Sequence, residues 1–535
     1  MDTNPSGRSF ARWVLGVGLL ASAVAAWGQL GPPPPAPAEN PFNEEKRVLG
    51  KILFWEEQLS SDDTVACGTC HIPASAGADP RYGLHPGPDG TFGTEDDVIG
   101  SPGIARRDAN NQPIEHPLFG SEPQVTRRSA PSYFLAMYSP ELFWDGRASA
   151  RFVNPLDATD TVIASGGALE SQAVGPIVSD VEMAHEFRDW FEVTTKLATV
   201  VPLALATDIP QDMSDALAVD PTYPDLFEAA FSDAAITPVR IGFAIATYER
   251  TLVPDQTPWD LFMAGDSSAM TRDQIQGWSM FSDNTVCGNC HVPPLFSDNE
   301  FHNIGLRPAA EDKGRMEVTG LEADFGRFKT PSLRNIGLRS TLMHVGWVTD
   351  TQDSIDFYNS GNGVTETRHR QFTEDQTGIP TGNPAVFRDY SDINMPAETQ
   401  TGVRMQALII DFLTNAMTDP RVAAEAFPFD RPTLATELRV AESQAPRKLK
   451  AKVLSATEVR LKWKFRHKKS DATRIQIQEK KSDGRFKKEA TVMTEVKKLV
   501  LAGLEPGATY VFRIRAKGPS GVSAWSTERT VSLPD

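Results

Sequence analysis

Two pentapeptides constrain this chain more than any other feature: Cys67-Gly68-Thr69-Cys70-His71 and, 220 residues later, Cys287-Gly288-Asn289-Cys290-His291. In C-x-x-C-H the two thiols can add across the vinyl groups of a haem while the adjacent imidazole ligates the iron. The two copies use all four cysteines of the chain. Two disulfides, or a single zinc site made of four cysteines, are the competing uses of such pairs. Neither accounts for a histidine after each pair. The flanks repeat as well, Thr64-Val65 and Ile72-Pro73 against Thr285-Val286 and Val292-Pro293, so the chain reads as internally duplicated. The expectation is two covalently bound c-type haems, attached at Cys67, Cys70, Cys287 and Cys290, with His71 and His291 as iron ligands.

At 535 residues the chain has room for about three domains of ordinary size. Arg8 and Arg12, an apolar run from Trp13 to Trp27 and the small residues Ala23, Ala25, Ala26 and Gly28 read as a secretory signal over residues 1–28, with a retained anchor as the alternative. A periplasmic or secreted protein with no integral membrane segment after cleavage is therefore expected. A proline-rich linker follows over residues 29–39. Residues 441–535 hold 22 Lys and Arg against 10 Asp and Glu, whereas residues 1–440 carry net −29. The acidic body would repel nucleic acid, and the basic end could hold an anionic surface or polymer, or dock on the body.

Apolar residues at Val48, Leu49, Ile52, Leu53 and Trp55 give a helix-like recurrence leading into the first pentapeptide. A capping box at Thr271-x-x-Gln274, ahead of Trp278 and Phe281, starts the helix that leads into the second. Another helix, with Ile241, Ala244, Ile245 and Tyr248 on one face, is expected from Pro238. Residues 446–535 alternate in short runs such as Val459-Arg460-Leu461-Lys462-Trp463, which is β-sandwich patterning. The predicted fold is mainly α, with two duplicated c-type cytochrome domains (residues 40–237 and 238–430), a linker (431–445) and an all-β immunoglobulin-like sandwich (446–535). Carboxylates clustered around glycines between Asp89 and Asp97 could offer oxygen ligands to calcium or form an acidic surface turn.

Further motifs line up along the chain: Leu49-Gly50-Lys51-Ile52-Leu53-Phe54, Arg128-Ser129-Ala130-Pro131-Ser132, Phe143-Trp144-Asp145-Gly146-Arg147-Ala148, Gln172 to Ile177, Val181-Glu182-Met183, Tyr248-Glu249-Arg250-Thr251 and Phe328 to Asn335. Over residues 43–420 this series resembles the bacterial dihaem cytochrome c peroxidases and their relative MauG. The resemblance implies reduction of hydrogen peroxide at the first haem, with Glu182 as acid–base and Gln172 beside it in the distal pocket. Trp144 would lie between the haems. Electrons would enter at the second haem from a small c-type cytochrome or copper protein.

Two positions depart from the peroxidase pattern. Fourteen residues past His344, where peroxidases carry a methionine ligand and MauG a tyrosine, this chain has Tyr358. Phenolate stabilises oxidised iron whereas thioether raises the potential, so Tyr358 as second-haem ligand changes the redox task. Met316, Met343, Met395, Met405 and Met417 are the other candidates in this half. The family's distal histidine and calcium-binding asparagine fall at Ser121 and Ser129. An open sixth position follows, unless His85 or His116 supplies a ligand. The calcium shared between the domains would then rest on main-chain carbonyls near Arg339 and Thr341. Trp463 and the Leu504-x-Pro506-Gly507-x-x-Tyr510 corner resemble a fibronectin type III domain. A peroxidase, a MauG-like oxidase of a protein or organic substrate, and a non-enzymatic dihaem electron carrier are the three functional readings.

Overall fold

The structure is a computed structural model that describes residues 30–94, 96–283, 287–307, 310–359, 400–437, 446–464, 474–480, 486–493, 498–518, 521–523 and 525–534. The expected signal segment, Glu95, Thr285, Val286 and Met395 lie outside the described residues. Among the described residues no helix is long and apolar enough to cross a membrane.

The haem region is built on a pair of crossed helices that occurs twice. Glu44–Phe54 begins where the Asn43 side chain accepts the Lys46 amide at 2.7 Å, with Glu44 and Glu45 in the first turn against the positive end of the helix. It packs on Pro238–Glu249, itself capped by the Thr237 hydroxyl. At the crossing a Cβ on Gly50 would stand 1.9 Å from the Ala244 carbonyl oxygen, so only glycine permits this approach. In the second half Arg272–Asp283 packs on Gln400–Asp411, and a Cβ on Gly277 would stand 2.1 Å from the Leu408 oxygen. Its start is the expected capping box, with Gln274 N donating to the Thr271 hydroxyl at 3.2 Å and Thr271 N to the Gln274 side chain at 3.0 Å. In each half the chain runs from the first helix of the pair into the pentapeptide.

The helix expected to open the second haem domain packs instead in the first core. Ile241, Ala244, Ile245 and Tyr248 are buried among Leu49, Ile52, Leu53 and Trp55, and Val422, Phe429 and Leu434 return to the same cluster from the far end of the region. Burying each large side chain stabilises by about 1.5–3 kcal/mol, so losing this helix would cost an amount comparable with a domain's whole margin of about 5–15 kcal/mol. A boundary at residue 238 therefore divides one core. The second core gathers Trp259, Phe281, Phe296, Phe412 and Met417.

A second duplication runs at an offset of 200 residues. Leu135 and Asn335 both take left-handed backbone (φ 60° and 62°), each ahead of a short 3-10 turn, Ala136–Tyr138 and Ile336–Leu338. Phe143 and Met343 (φ 68° and 62°) and Gly146 and Gly346 (φ 76° and 69°) repeat the next bend, closed by matching bridges Leu142 to Ala148 and Leu342 to Val348. Trp144 is thereby the counterpart of His344. The halves exchange equivalent hydrogen bonds: Ser129 N donates to His344 O and Lys329 N to Trp144 O, both at 2.8 Å.

The C-terminal domain is a sandwich of antiparallel sheets, one with Arg447–Ser455, Glu458–Lys464 and Lys498–Leu501, the other centred on Arg474–Lys480 and Thr509–Gly518. Trp463, Ile475, Ile477, Phe512 and Ile514 fill its core, and the Tyr510 hydroxyl accepts the Glu505 amide at 2.7 Å to make the expected corner. On its first sheet Lys462 pairs with both Lys450 and Lys498, and Arg460 with Lys452.

Candidate functional site

Both pentapeptides open onto one cavity of about 1030 Å³. Its first lobe is lined by Phe54, Cys67, Cys70, His71, Gln172, Glu182 and Glu249, its second by Phe281, Cys287, Cys290, His291, Tyr358 and Leu413, with Trp144 and His344 also in the wall. All four cysteines are half-buried and none is joined to another. Cys67–Cys70 forms one helical turn, which puts its sulfurs on one face, and Cys287–Asn289 turns as a 3-10 segment. The two pairs lie in separate lobes, and among the described residues the four cysteines do not gather into one metal-ligating cluster.

The imidazoles are set by their second nitrogens. His71 Nδ1 donates to the Gly77 carbonyl at 2.9 Å and His291 Nδ1 to the Phe296 carbonyl at 3.0 Å. A carbonyl only accepts, so the proton is on Nδ1 and the Nε2 lone pair is left for iron. Burial lowers both pKa values and keeps the rings neutral. These residues fit a c-type haem in each lobe. His85 and His116 also reach the cavity wall, so they are not simply solvated loop residues. Their tautomers are opposite: His85 Nδ1 accepts the Gly87 amide at 3.1 Å, and His116 Nδ1 accepts the Leu118 amide at 3.0 Å. The neutral rings then carry their proton on Nε2, which suits donation and not iron ligation. Sequence shows the histidines but not the amide each one faces.

Glu182 sits half-buried in the first lobe, where desolvation raises its pKa against the opposing pull of the Ser179 hydroxyl and the Arg147 charge. Gln172 shares this lobe, near the end of the Ala168–Ala173 helix. In the sequence Glu249 stands within the Tyr248-Glu249-Arg250-Thr251 motif with no role of its own. That carboxyl is 3% exposed, has an oxygen without a hydrogen-bond partner among the described residues, and is pushed up to about 8 chiefly by burial.

Trp144 is buried, with its indole N–H on the Ser129 carbonyl at 2.7 Å and its ring centroid 6.2 Å from that of His344. His344 stacks on Phe328 at 3.7 Å, and the Arg128 guanidinium lies 5.3 Å from the centroid of the same ring. Arg128 also bridges the halves, binding Asp145 at 2.5 Å and Asp312 at 2.6 Å. Burial lowers His344 to about 3, so its ring is neutral. Of the candidate sixth groups for the second lobe, Tyr358 and Met343 reach the cavity, Met405 and Met417 pack in the second core, and Met316 lines neither.

Calcium finds no comparable fit. In the 89–97 turn Asp89 accepts the Thr91 amide at 2.6 Å, Asp96 the Asp89 amide at 2.9 Å and Asp97 the Gly93 amide at 2.8 Å, which makes it a self-capped turn. Among the described residues the one cluster of metal-ligating type is Cys290, Asp298 and His302, and its cysteine belongs to the second pentapeptide.

Residues 44–268 match the di-haem cytochrome c peroxidase family model, and residues 444–532 match the fibronectin type III domain. Methylamine utilization protein MauG of Methylophilus methylotrophus is 28% identical over 363 residues, covering 66% of this chain and 86% of that protein. Cytochrome c peroxidase Ccp of Escherichia coli (strain K12) is 30% identical over 361 residues, covering 62% of this chain and 61% of its own. A crystal structure of a MauG-like protein associated with microbial copper homeostasis superposes with a TM-score of 0.51 at 22% identity, covering 75% of this chain and 96% of that one, which is a likeness of fold. With its two C-x-x-C-H lobes, its family match over residues 44–268 and relatives in both branches, this chain is similar to the oxidoreductases of the di-haem cytochrome c peroxidase and MauG family, and its C-terminal sandwich to a fibronectin type III domain.

Proposed function

We propose that the protein reduces hydrogen peroxide in the first lobe, drawing electrons through the second lobe from a small periplasmic redox protein. The supporting observation is Glu182, a carboxyl with a raised pKa in the same lobe as Cys67, Cys70 and His71. A bound haem would supply the redox centre at which the O–O bond is cleaved. Two electrons and two protons convert peroxide to two waters, and Glu182 is placed to shuttle a proton between the two oxygens. Gln172 orients the peroxide, and Trp144 gives the electron a conjugated ring between the lobes. Calcium is no part of this reading.

A second reading, a MauG-like oxidase acting on a protein or organic substrate, is favoured by Tyr358 in the wall of the second lobe and by the unsuitable tautomers of His85 and His116. The separating experiment adds peroxide to fully oxidised holoprotein and to protein given one electron per molecule, followed by stopped-flow absorbance. The peroxidase reading expects an inert oxidised protein and turnover of a small cytochrome after priming. A long-lived spectral change in the oxidised protein, altered in Tyr358→Met, would move the assignment to the second reading.

Lys462 opposite Lys450 and Lys498 places like charges directly across strands, which costs stability unless an anion screens them. The sandwich is therefore proposed to hold an anionic surface or polymer outside the cytoplasm while the chemistry stays in the haem region. Deleting residues 441–535 should leave peroxide turnover with an artificial donor unchanged and abolish low-salt retention on a sulfated polysaccharide column. Lost turnover in a folded deletion, or retained binding, would sink this division.

A further inference from the structure

Where the 129–148 and 329–348 repeats meet, two equivalent junctions form between the halves. In one, Ser129 and Ala130 of the first half face Arg339 and Thr341 of the second. The Arg339 side chain donates through Nε to the Thr341 carbonyl at 3.1 Å and through a terminal nitrogen to the Ala130 carbonyl at 2.9 Å. The Ser129 and Thr341 hydroxyls pair at 3.3 Å, and the Ser129 carbonyl is taken by Trp144. In the other junction Lys329 stands at the position of Ser129. Its ammonium donates to the Ser139 hydroxyl and the Glu141 carbonyl, both at 2.8 Å. Each junction thus holds one basic side chain with its charge on neutral oxygens of the chain.

This is the chemistry of a cation site in which the cation is covalently attached. Calcium takes six to eight oxygens, usually with carboxylates among them. The carbonyls of Ala130 and Thr341 already receive a positively charged donor, and no carboxylate among the described residues pairs with Arg339, whose guanidinium is affected by burial alone. A divalent ion brought to the same oxygens would meet the guanidinium at close range, a like-charge contact that burial makes more costly. We propose that Arg339 in one junction and Lys329 in the other take the place of a bound divalent cation, so that the two halves are joined without calcium.

The test uses full-length protein carrying both haems. It is dialysed against millimolar calcium or against chelator, assayed for bound metal after desalting, and melted while haem absorbance is followed. Wild type is expected to retain no stoichiometric calcium and to melt at the same temperature in both buffers, as is Arg339→Lys. Arg339→Ala should melt several degrees lower in chelator and recover most of that shift in calcium. One calcium per wild-type chain, a wild-type midpoint that falls in chelator, or an Arg339→Ala midpoint equal to wild type would each overturn the proposal. An Arg339→Ala loss that calcium leaves unmoved would reduce Arg339 to a packing residue and overturn it equally. If Arg339→Ala fails to assemble, the wild-type and Arg339→Lys measurements still decide.

Discussion

The two lobes are alike on the side that would grip a cofactor and unlike on the side that would meet a reactant. Each has a glycine at a helix crossing (Gly50, Gly277), a phenylalanine one turn later in the wall (Phe54, Phe281) and a histidine tied through Nδ1 to a carbonyl. On the second helix of each pair, Ile245 and Ile409 line equivalent places. One turn further the likeness ends, with Glu249 in the first lobe and Leu413 in the second. Glu182 and Gln172 mark the first lobe, Tyr358 and Met343 the second. Duplication has kept what holds the group, because backbone contacts and close helix packing tolerate little change. Side chains that only face the cavity have been free to diverge, and there the task of each lobe is set.

The largest expected effect breaks the likeness itself. Replacing Cys287 and Cys290 by Ala should remove one of two covalent haems and leave the other, read as mass by spectrometry of the intact chain. A wild-type mass equal to the polypeptide alone, or loss of both haems from the variant, would show that the two lobes are not independent attachment sites. The next effect concerns the unlike side. Glu182→Gln keeps the shape and removes the proton shuttle, so peroxide turnover should fall by roughly 10²–10⁴-fold with nearly unchanged absorption spectra. A variant that turns over at the wild-type rate would dismiss Glu182 from the chemistry.

How much of this was legible in the sequence depends on whether a residue's meaning is local. The pentapeptides, the Thr271 and Gln274 cap and the Tyr510 corner are local, and they stand where the pattern placed them. The 200-residue repeat was hidden because its bends use Leu135, Phe143 and Met343 in left-handed backbone, where composition alone would look for glycine. The Pro238–Glu249 helix showed an apolar face but not which core it fills. Arg339 was flagged for its carbonyl, whereas its guanidinium is what spans the junction.

The smallest effect sharpens the contrast between Glu249 and Leu413. Burial holds the Glu249 carboxyl at about 8 in the folded protein, against roughly 4.3 for an unfolded glutamate. The folded state then keeps a proton that the unfolded chain releases, so this group's contribution is fully present below about pH 4 and is lost as pH rises towards 8. Within that window the loss is at most about 1.4 kcal/mol per pH unit, levelling off once the folded carboxyl also ionises. Glu249→Gln stays neutral throughout and carries no such slope. Haem-absorbance melts of the full-length holoprotein at pH 6, 7 and 8 should show the variant gaining on wild type by several degrees across the series. Leu413→Ala, in the second lobe, should shift the midpoint by the same amount at every pH. Parallel wild-type and Glu249→Gln curves would mean that the carboxyl is paired or already ionised, and the two lobes would then differ in shape but not in protonation.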